Sequence, residues 1–240
     1  MKIKVLCWNI WCGTHLEEVI EFLKKADADI IGLQEVCEDT RGSIGEIIAK
    51  ELGYHYVHAV NMDLPVRYIP GYGDDDMRKI KFGPAILSKH KIVKSQVIEL
   101  TKEDNRLIIQ ADVEIGNQIV HVYSIHLKHT CQKYLELQDL QAENLINITS
   151  NEKTIVMGDF NSLPESIVVK KIKNALKDTE ESIATPTWSV YKNGCTMCRV
   201  DSIRYKLDYI FTSKDLVANS FTVHDSKGSD HLPISAIIEI

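Results

Sequence analysis

Apolar positions along the chain follow two periods, and the switches between them mark out the elements. Residues 2–8 carry enough buried-type side chains for a strand, and Leu16, Val19, Ile20 and Leu23 then recur at helical spacing. Asp27-Ala28-Asp29 ends that helix, and Ile30-Ile31-Gly32-Leu33 reads as a short buried strand with Gln34-Glu35-Val36 at its end. Ile44, Ile47, Ile48 and Leu52 predict a second amphipathic helix, with Gly53 as its stop. A strand is expected over 54–60. Residues 61–81 hold two prolines, two glycines and Asp74-Asp75-Asp76 among Arg67, Arg78, Lys79 and Lys81, the composition of a long surface loop. Strand patterns then dominate over 84–87, 92–100, 106–113 and 118–125, the last two joined as a hairpin by the tight turn Gly116-Asn117. Leu137, Leu140, Leu145 and Ile148 define one face of a helix over 132–149. A strand over 154–157, a helix over 165–176 and strands over 207–211, 217–223 and 233–238 complete the series. This mixture suits sheets with helices packed outside them. With no repeat, low-complexity tract or linker, one domain over 1–240 is expected.

Composition changes this picture little. The 240 residues are 44% hydrophobic and 26% charged, ordinary for a globular protein and long enough to bury a sizeable core. The formal net charge of −6 argues against a processive binder of duplex DNA, which needs a basic face for many phosphates. No apolar run is long enough to span a bilayer, and the opening segment reads as a strand, not as a secretory signal. The six cysteines are therefore expected as reduced thiols in a cytoplasmic protein, with a monomer as the favoured state and no stable membrane association.

The candidate chemistry lies where strands end. Asn9, Glu35, His126, and Asp159 with Asn161 each follow a predicted strand; Asp208 opens one, and Asp230-His231 precede the last. Ligand sites of layered α/β proteins gather at such ends. Glu35, Asp159, Asp208 and Asp230 supply carboxylates, and Asn9 and Asn161 supply amides. Hard oxygen donors suit Mg²⁺, Mn²⁺ or Ca²⁺ over a soft metal, with Mg²⁺ or Mn²⁺ the expected cofactor. A carboxylate-held ion of that kind suits a phosphate substrate, and histidine supplies proton transfer near neutral pH.

These residues sit in Trp8-Asn9-Ile10, Leu33-Gln34-Glu35-Val36, Ser124-Ile125-His126-Leu127, Gly158-Asp159-Phe160-Asn161, Leu207-Asp208-Tyr209-Ile210-Phe211 and Ser229-Asp230-His231-Leu232-Pro233. In that order they resemble the motif set of the endonuclease/exonuclease/phosphatase superfamily, and Gly83-Pro84-Ala85-Ile86-Leu87-Ser88 is similar to its central strand. A single such motif is weak evidence; six in order over residues 8–233 are strong. The resemblance implies a DNase I-like four-layer α/β sandwich: two mixed, mainly antiparallel sheets face to face, with helices outside. It implies hydrolysis of a phosphate ester by in-line attack of water. Glu35 would be the principal metal ligand, helped by Asn9 and Asp230. Asp159 would position or deprotonate the water, Asn161 would hold the phosphate, and His231, oriented by Asp208, would contact it or move a proton. His126 would stabilise the phosphate or assist the leaving group. Repair enzymes of the exonuclease III type typically carry tyrosine at the His126 position, which lowers the expectation of an abasic-site endonuclease.

A phosphodiesterase or nuclease is the favoured activity, acting on nucleic acid ends or a nucleotide. The alternative is a phosphomonoesterase or lipid-headgroup phosphodiesterase of the inositol-phosphate or sphingomyelinase type, and a catalytically inactive binding module comes third. Asp159 with Asn161 could form only an Asx turn, and Asp208 could only pair with Arg204 or Lys206. His129 reads as loop surface and His121 as structural. Cys195-Thr196-Met197-Cys198 is one CxxC with no further ligand nearby in sequence; Cys131 and His129 could join it only through the fold, so a structural metal is not expected. The loops at 61–81 and 188–205, with Tyr68, Tyr72, Trp188 and Tyr191, are the candidates for substrate selection.

Overall fold

The computed structural model describes the chain except for positions 61, 70, 71, 74, 150, 151, 181, 182, 193, 194, 196 and 199. The eight-stranded sheet is built on β1 (Lys2–Asn9), β2 (Ile30–Asp39), β4 (His55–His58), β6 (Lys79–Ser88), β13 (Val217–Val223) and β14 (Ile234–Glu239), in the order β13-β14-β1-β2-β6-β4. The short strands β3 (Gly42–Ser43) and β5 (Met62–Pro65) pair with β2 and β6. The six-stranded sheet holds β7 (Ile92–Thr101), β8 (Arg106–Ile115), β9 (Gln118–His126), β10 (Thr154–Asp159), β11 (Lys177–Asp178) and β12 (Asp208–Thr212), ordered β11-β12-β10-β9-β8-β7. Each sheet has one parallel pair, β1 with β2 and β9 with β10; the other pairs are antiparallel.

The two sheets face each other across one apolar core, where Val5, Ile31 and Ala85 share a cluster with Ala111, Val122 and Met157. Gly32 permits the close approach: a Cβ there would meet Met157 Cγ and Sδ at 2.5 Å. Helices α1 (Leu16–Ala26) and α2 (Ile44–Leu52) cover the outer face of the larger sheet through Val19, Leu23, Ile44 and Ile48. Helices α3 (Glu136–Ile148) and α4 (Ile167–Ala175) cover the smaller sheet through Ala142, Leu145, Val168, Val169 and Ile172. The expected four-layer sandwich is thus present. Local chemistry sets the helix ends. Ser43 and Ser166 accept from the Glu46 and Val169 amides as N-caps, and Gly53 closes α2 at φ 70°.

Three expectations need correction. The stretch 61–81 is not all loop: it contains β5, a 3-10 turn at Val66–Tyr68 and the start of β6. Helix α3 buries Gln138, Gln141, Ala142 and Leu145, while Leu140 is exposed. The glutamines are buried because they bind backbone of neighbouring loops, as described below. Cys12 and Cys37 form a disulfide, with Cα atoms 5.1 Å apart, which leaves four of the six cysteines as thiols. Among the described residues no helix is long and apolar enough to cross a membrane.

Candidate active site

Sheet register assembles most of the site. Asp159, the last residue of β10, has His126 of β9 and Asp208 of β12 as its cross-strand partners, so three adjacent strands present one polar row. In the facing sheet, Asn9 ends β1 beside Gln34 of β2. Glu35 does not follow β2, as expected, but lies within it. The register against β6 shifts between Leu33 and Val36, and Glu35 takes φ 53°. That bulge re-aims a side chain which regular pleating would fix to one face. Asn161 also has positive φ, 48°. Such backbone is uncommon for a residue with a Cβ and needs surrounding contacts to hold it. For Asn161 they are plain: its amide donates to Asp159 Oδ1 at 2.8 Å, and its Nδ2 donates to Leu127 O at 3.1 Å. The Asx turn therefore exists, and it positions both residues at the pocket.

Asp159 Oδ2 is the hub. Asn9 Nδ2 donates to it at 3.1 Å and also reaches Glu35 Oε1 at 3.2 Å. His126 Nε2 and His231 Nε2 each stand 3.6 Å from the same Asp159 oxygen. His231 Nδ1 is 2.9 Å from Asp208 Oδ2, which also accepts from Thr187 Oγ1 at 2.5 Å. Asp230 Oδ2 accepts from the Trp188 indole at 3.0 Å, and Ser229 Oγ donates to Asn9 O at 2.6 Å, tying the loop before β14 to the end of β1. Asn9, His126, Asp159, Asn161, Asp208, Asp230 and His231 are all buried, and Glu35 is half-buried. All eight expected residues thus meet in one region. Asp208 chooses His231 over the basic neighbours proposed for it: Lys206 pairs with Glu180, and Arg204 with Asp201.

Burial and crowding shift the protonation of these groups. Burial, then the Asp230 carboxylate, raises the Glu35 carboxyl to about 7, and burial raises Asp159 to about 6. Burial alone would strip the proton from His231, but the carboxylates of Asp208, Asp159 and Asp230 outweigh it and hold that ring well above the ordinary histidine range. His126 goes the other way: burial and the nearby Arg106 guanidinium hold it well below that range. One imidazole is thus cationic and the other neutral, on either side of one carboxylate.

The cleft above these groups has a volume of about 610 Å³. Its walls include Trp11, Tyr72 and Tyr191, together with the cationic Arg67, Arg106 and Lys192. Tyr72, Trp188 and Tyr191, expected in selection loops, do line the cleft or its base; the Tyr68 side chain lies outside the described residues. Sequence reading missed Arg106. It is buried at the start of β8, lies 3.5 Å from Asp104, and leaves Nε and Nη1 without hydrogen bonds. A charged residue opening the apolar run Leu107-Ile108-Ile109 was its only signal. The glutamines of α3 were missed too: Gln138 Nε2 donates to Lys128 O (2.7 Å) and Asn161 O (3.1 Å), and Gln141 Oε1 accepts from Lys128 N (2.9 Å). They brace the loops that carry Asn161 and follow His126. His129, expected as loop surface, is half-buried, and its Nδ1 lies 2.8 Å from Asn161 Oδ1.

Known proteins share this fold. The chain aligns over 99–100% of its length with three solved structures, at identities that carry the fold alone. An endonuclease/exonuclease/phosphatase from Beutenbergia cavernae has a TM-score of 0.78 at 18% identity, with 72% of that chain covered. The human Nocturnin catalytic domain has a TM-score of 0.71 at 23% identity and 94% coverage. Truncated Caenorhabditis elegans TDP2 has a TM-score of 0.72 at 20% identity and 98% coverage. No curated protein matches by sequence. The model of the Endonuclease/Exonuclease/phosphatase family matches residues 6–231, from strand β1 to the Asp230-His231 pair. The chain therefore belongs to the Endonuclease/Exonuclease/phosphatase family of phosphate-ester hydrolases.

Proposed function

We propose that this protein is a divalent-metal-dependent phosphodiesterase acting on nucleic acid ends or a nucleotide. The carrying observation is the imbalance of charge in the site. Glu35, Asp159, Asp208 and Asp230 crowd around one cationic ring; the Arg106 guanidinium is felt by Glu35 and Asp159 from the cleft wall but is paired with Asp104, and among the described residues no lysine or arginine pairs with Glu35 or Asp230. Such a deficit fits a hard cation with oxygen ligands, Mg²⁺ or Mn²⁺. Glu35, Asp230 and Asn9 would hold it. When bound, it would polarise a phosphoryl oxygen and offset the charge developing in the transition state.

The chain's own groups supply the rest. Asp159 Oδ2 is oriented by Asn9 and flanked by two imidazoles, a placement suited to steering a water molecule and taking its proton. The cationic His231, held by Asp208, faces the phosphate as a donor of charge and hydrogen bond. Asn161 already spends Nδ2 on Leu127 O, and its second N–H is free to bind a phosphate oxygen. His126, neutral, is placed to assist the leaving group. Arg106, whose Nε faces Asp104 while Nη1 has no hydrogen-bond partner, lines the cleft wall and adds anion recognition.

The aromatic rim favours a substrate with a base. Trp11 and Tyr191 lie 5.5 Å apart between ring centroids, and His15 stacks on Tyr191 at 5.2 Å. Half-buried rings beside a phosphate site suit base stacking. The test is hydrolysis of a bis-aryl phosphate, an aryl phosphate, a dinucleotide, single-stranded and abasic duplex oligonucleotides and an inositol phosphate, with and without Mg²⁺ or Mn²⁺, against Asp159→Asn. Metal-dependent cleavage of nucleotide diesters, lost in the variant, is expected. Preference for the monoester or the inositol phosphate would refute the diesterase reading.

A further inference from the structure

The one CxxC of the chain does find two more ligands, and the fold supplies both. Cys195 and Cys198, in the loop before β12, stand against His129 and Cys131, which follow β9. The four ligand atoms lie within 4.8 Å of one another. His129 Nε2 is 3.0 Å from Cys198 Sγ, 3.5 Å from Cys131 Sγ and 3.7 Å from Cys195 Sγ. In a tetrahedral zinc site, bond lengths of about 2.0–2.3 Å place neighbouring ligand atoms roughly 3.6–3.8 Å apart. The cluster needs only small adjustments of side chains to reach that shape.

Hydrogen bonding fixes which face of His129 meets the sulfurs. Leu127 O can only accept, so it takes the Asn161 Nδ2 donor, and Asn161 Oδ1 must be the atom that faces His129 Nδ1. Nδ1 therefore carries the proton. Nε2 faces the three sulfurs; without metal the Cys195 and Asn161 contacts outweigh burial and favour a proton there too, and once that proton is displaced Nε2 presents its lone pair to the position the sulfurs surround. A ring nitrogen donating to an oxygen while the other points at sulfur is the usual tautomer of a metal-ligating histidine. The backbone N–H of Cys198 also donates to Cys195 Sγ at 3.3 Å, a contact that stabilises negative charge on that sulfur.

We propose that His129 Nε2 and the thiolates of Cys131, Cys195 and Cys198 bind a zinc ion. On binding, the protons on the sulfurs and on His129 Nε2 leave to solvent as three Zn–S bonds and one Zn–N bond form, and no electron is transferred. The set is closed, with four protein ligands, so its role is structural. It differs in kind from the oxygen-rich site beside it, where a hard ion fits. The zinc ties together two segments with no strand pairing between their described residues, one next to the phosphate-binding face and the other carrying Trp188 and Tyr191 of the cleft wall. Through His129 it also holds Asn161. The inference does not depend on the substrate proposed above.

The test begins with protein expressed in zinc-supplemented medium and purified under reducing conditions. Mass-spectrometric metal analysis is expected to find one zinc per chain, retained in Cys7→Ser and in the double variant Glu35→Gln/Asp159→Asn, and lost in Cys198→Ser and His129→Ala. Because those last two could lose metal by unfolding, unaltered protein is also loaded with Co²⁺. Intense thiolate-to-cobalt absorption with the ligand-field bands of a tetrahedral ion is expected. Zinc at background in the wild type would overturn the proposal. So would an octahedral, oxygen-ligated cobalt spectrum, zinc lost from the Glu35/Asp159 variant alone, or a disulfide among Cys131, Cys195 and Cys198 in protein kept under reducing conditions.

Discussion

Two buried charge clusters flank the start of β12, and two residues of one short segment divide between them. Lys206 enters a cluster with Asp178 and Glu180, in which Lys173 also pairs with Asp178 at 2.8 Å. Two cations there meet two carboxylates. Asp208 enters the other, where four carboxylates share one cationic imidazole and the Arg106 guanidinium, itself paired with Asp104. Apart from the exposed Lys173 and half-buried Glu35, the members of both clusters are buried, so burial does not separate structure from chemistry. Charge balance does. A closed set of ion pairs fixes a shape, whereas an open one retains affinity for a cation from outside.

The contrast breaks most visibly at Asp159. Asp159→Asn keeps the shape of the carboxylate and its Asx turn but removes the charge at the hub. Turnover is expected to fall about 10²–10⁴-fold, the usual range for a lost general base. The variant should fold and melt no lower than the wild type at pH 8, because it removes a charge that burial opposes. Steady-state kinetics and a thermal melt on the same sample decide it; a clear drop in melting temperature would make Asp159 structural.

The balanced cluster should behave oppositely. Lys206→Met leaves Glu180 buried and unpaired by lysine and is expected to cost about 3–5 kcal/mol of stability. Denaturant unfolding measures that cost. Among the molecules that remain folded, kcat should stay near the wild-type value. A stable variant that had lost turnover would place Lys206 in the site.

Between these extremes, Trp188→Phe keeps an aromatic ring but removes the indole N–H that holds Asp230 Oδ2. Losing a group that orients a metal ligand typically weakens metal binding about 10–100-fold. Activity followed against Mg²⁺ concentration should show that shift in half-saturation with little change at saturating metal. A loss that metal cannot restore would show that Trp188 acts on substrate and not through Asp230.

The sequence carried the hub but not its surroundings, for a physical reason. Asn9, His126 and Asp159 end strands, so an apolar run followed by a polar residue marks them locally. Glu35 was found by the same signal although it lies at a bulge inside β2, because bulge and strand end look alike in one dimension. The partner of Asp208 was legible only through the family resemblance, which implied His231, 23 positions away; nearness in sequence alone pointed to Lys206 and Arg204 and was wrong. Arg106, Gln138 and Gln141 were missed because a lone polar residue in an apolar pattern reads as a solvent-facing position. His129 and the cysteines show the same limit. Spacing along the chain kept Cys131 apart from Cys195, whereas the parallel pairing of β9 with β10 and the return through β12 bring them together.

The smallest effect concerns protons and metal at the open cluster, and its sign follows from the two raised carboxyls. Without metal, Glu35 keeps its proton up to about pH 7 and Asp159 up to about pH 6. A raised carboxyl stabilises the folded chain below its ordinary value, near 4.5 for Glu35, and that contribution is lost as pH rises through about 7. Above that point the charges repel, and a divalent ion relieves them. Below it, each ion must first displace a proton from Glu35. Affinity for Mg²⁺ or Mn²⁺ should therefore climb about tenfold per pH unit below 7 and level off above it. The metal-induced rise in melting temperature should likewise be larger at pH 8 than at pH 6. Calorimetric titration at pH 6, 7 and 8 reads the first, and thermal melts with and without metal read the second. Equal affinity at all three pH values would mean that Glu35 is already ionised at pH 6, so that burial and Asp230 do not hold its proton and the cluster is not short of positive charge in the way its carboxylates imply.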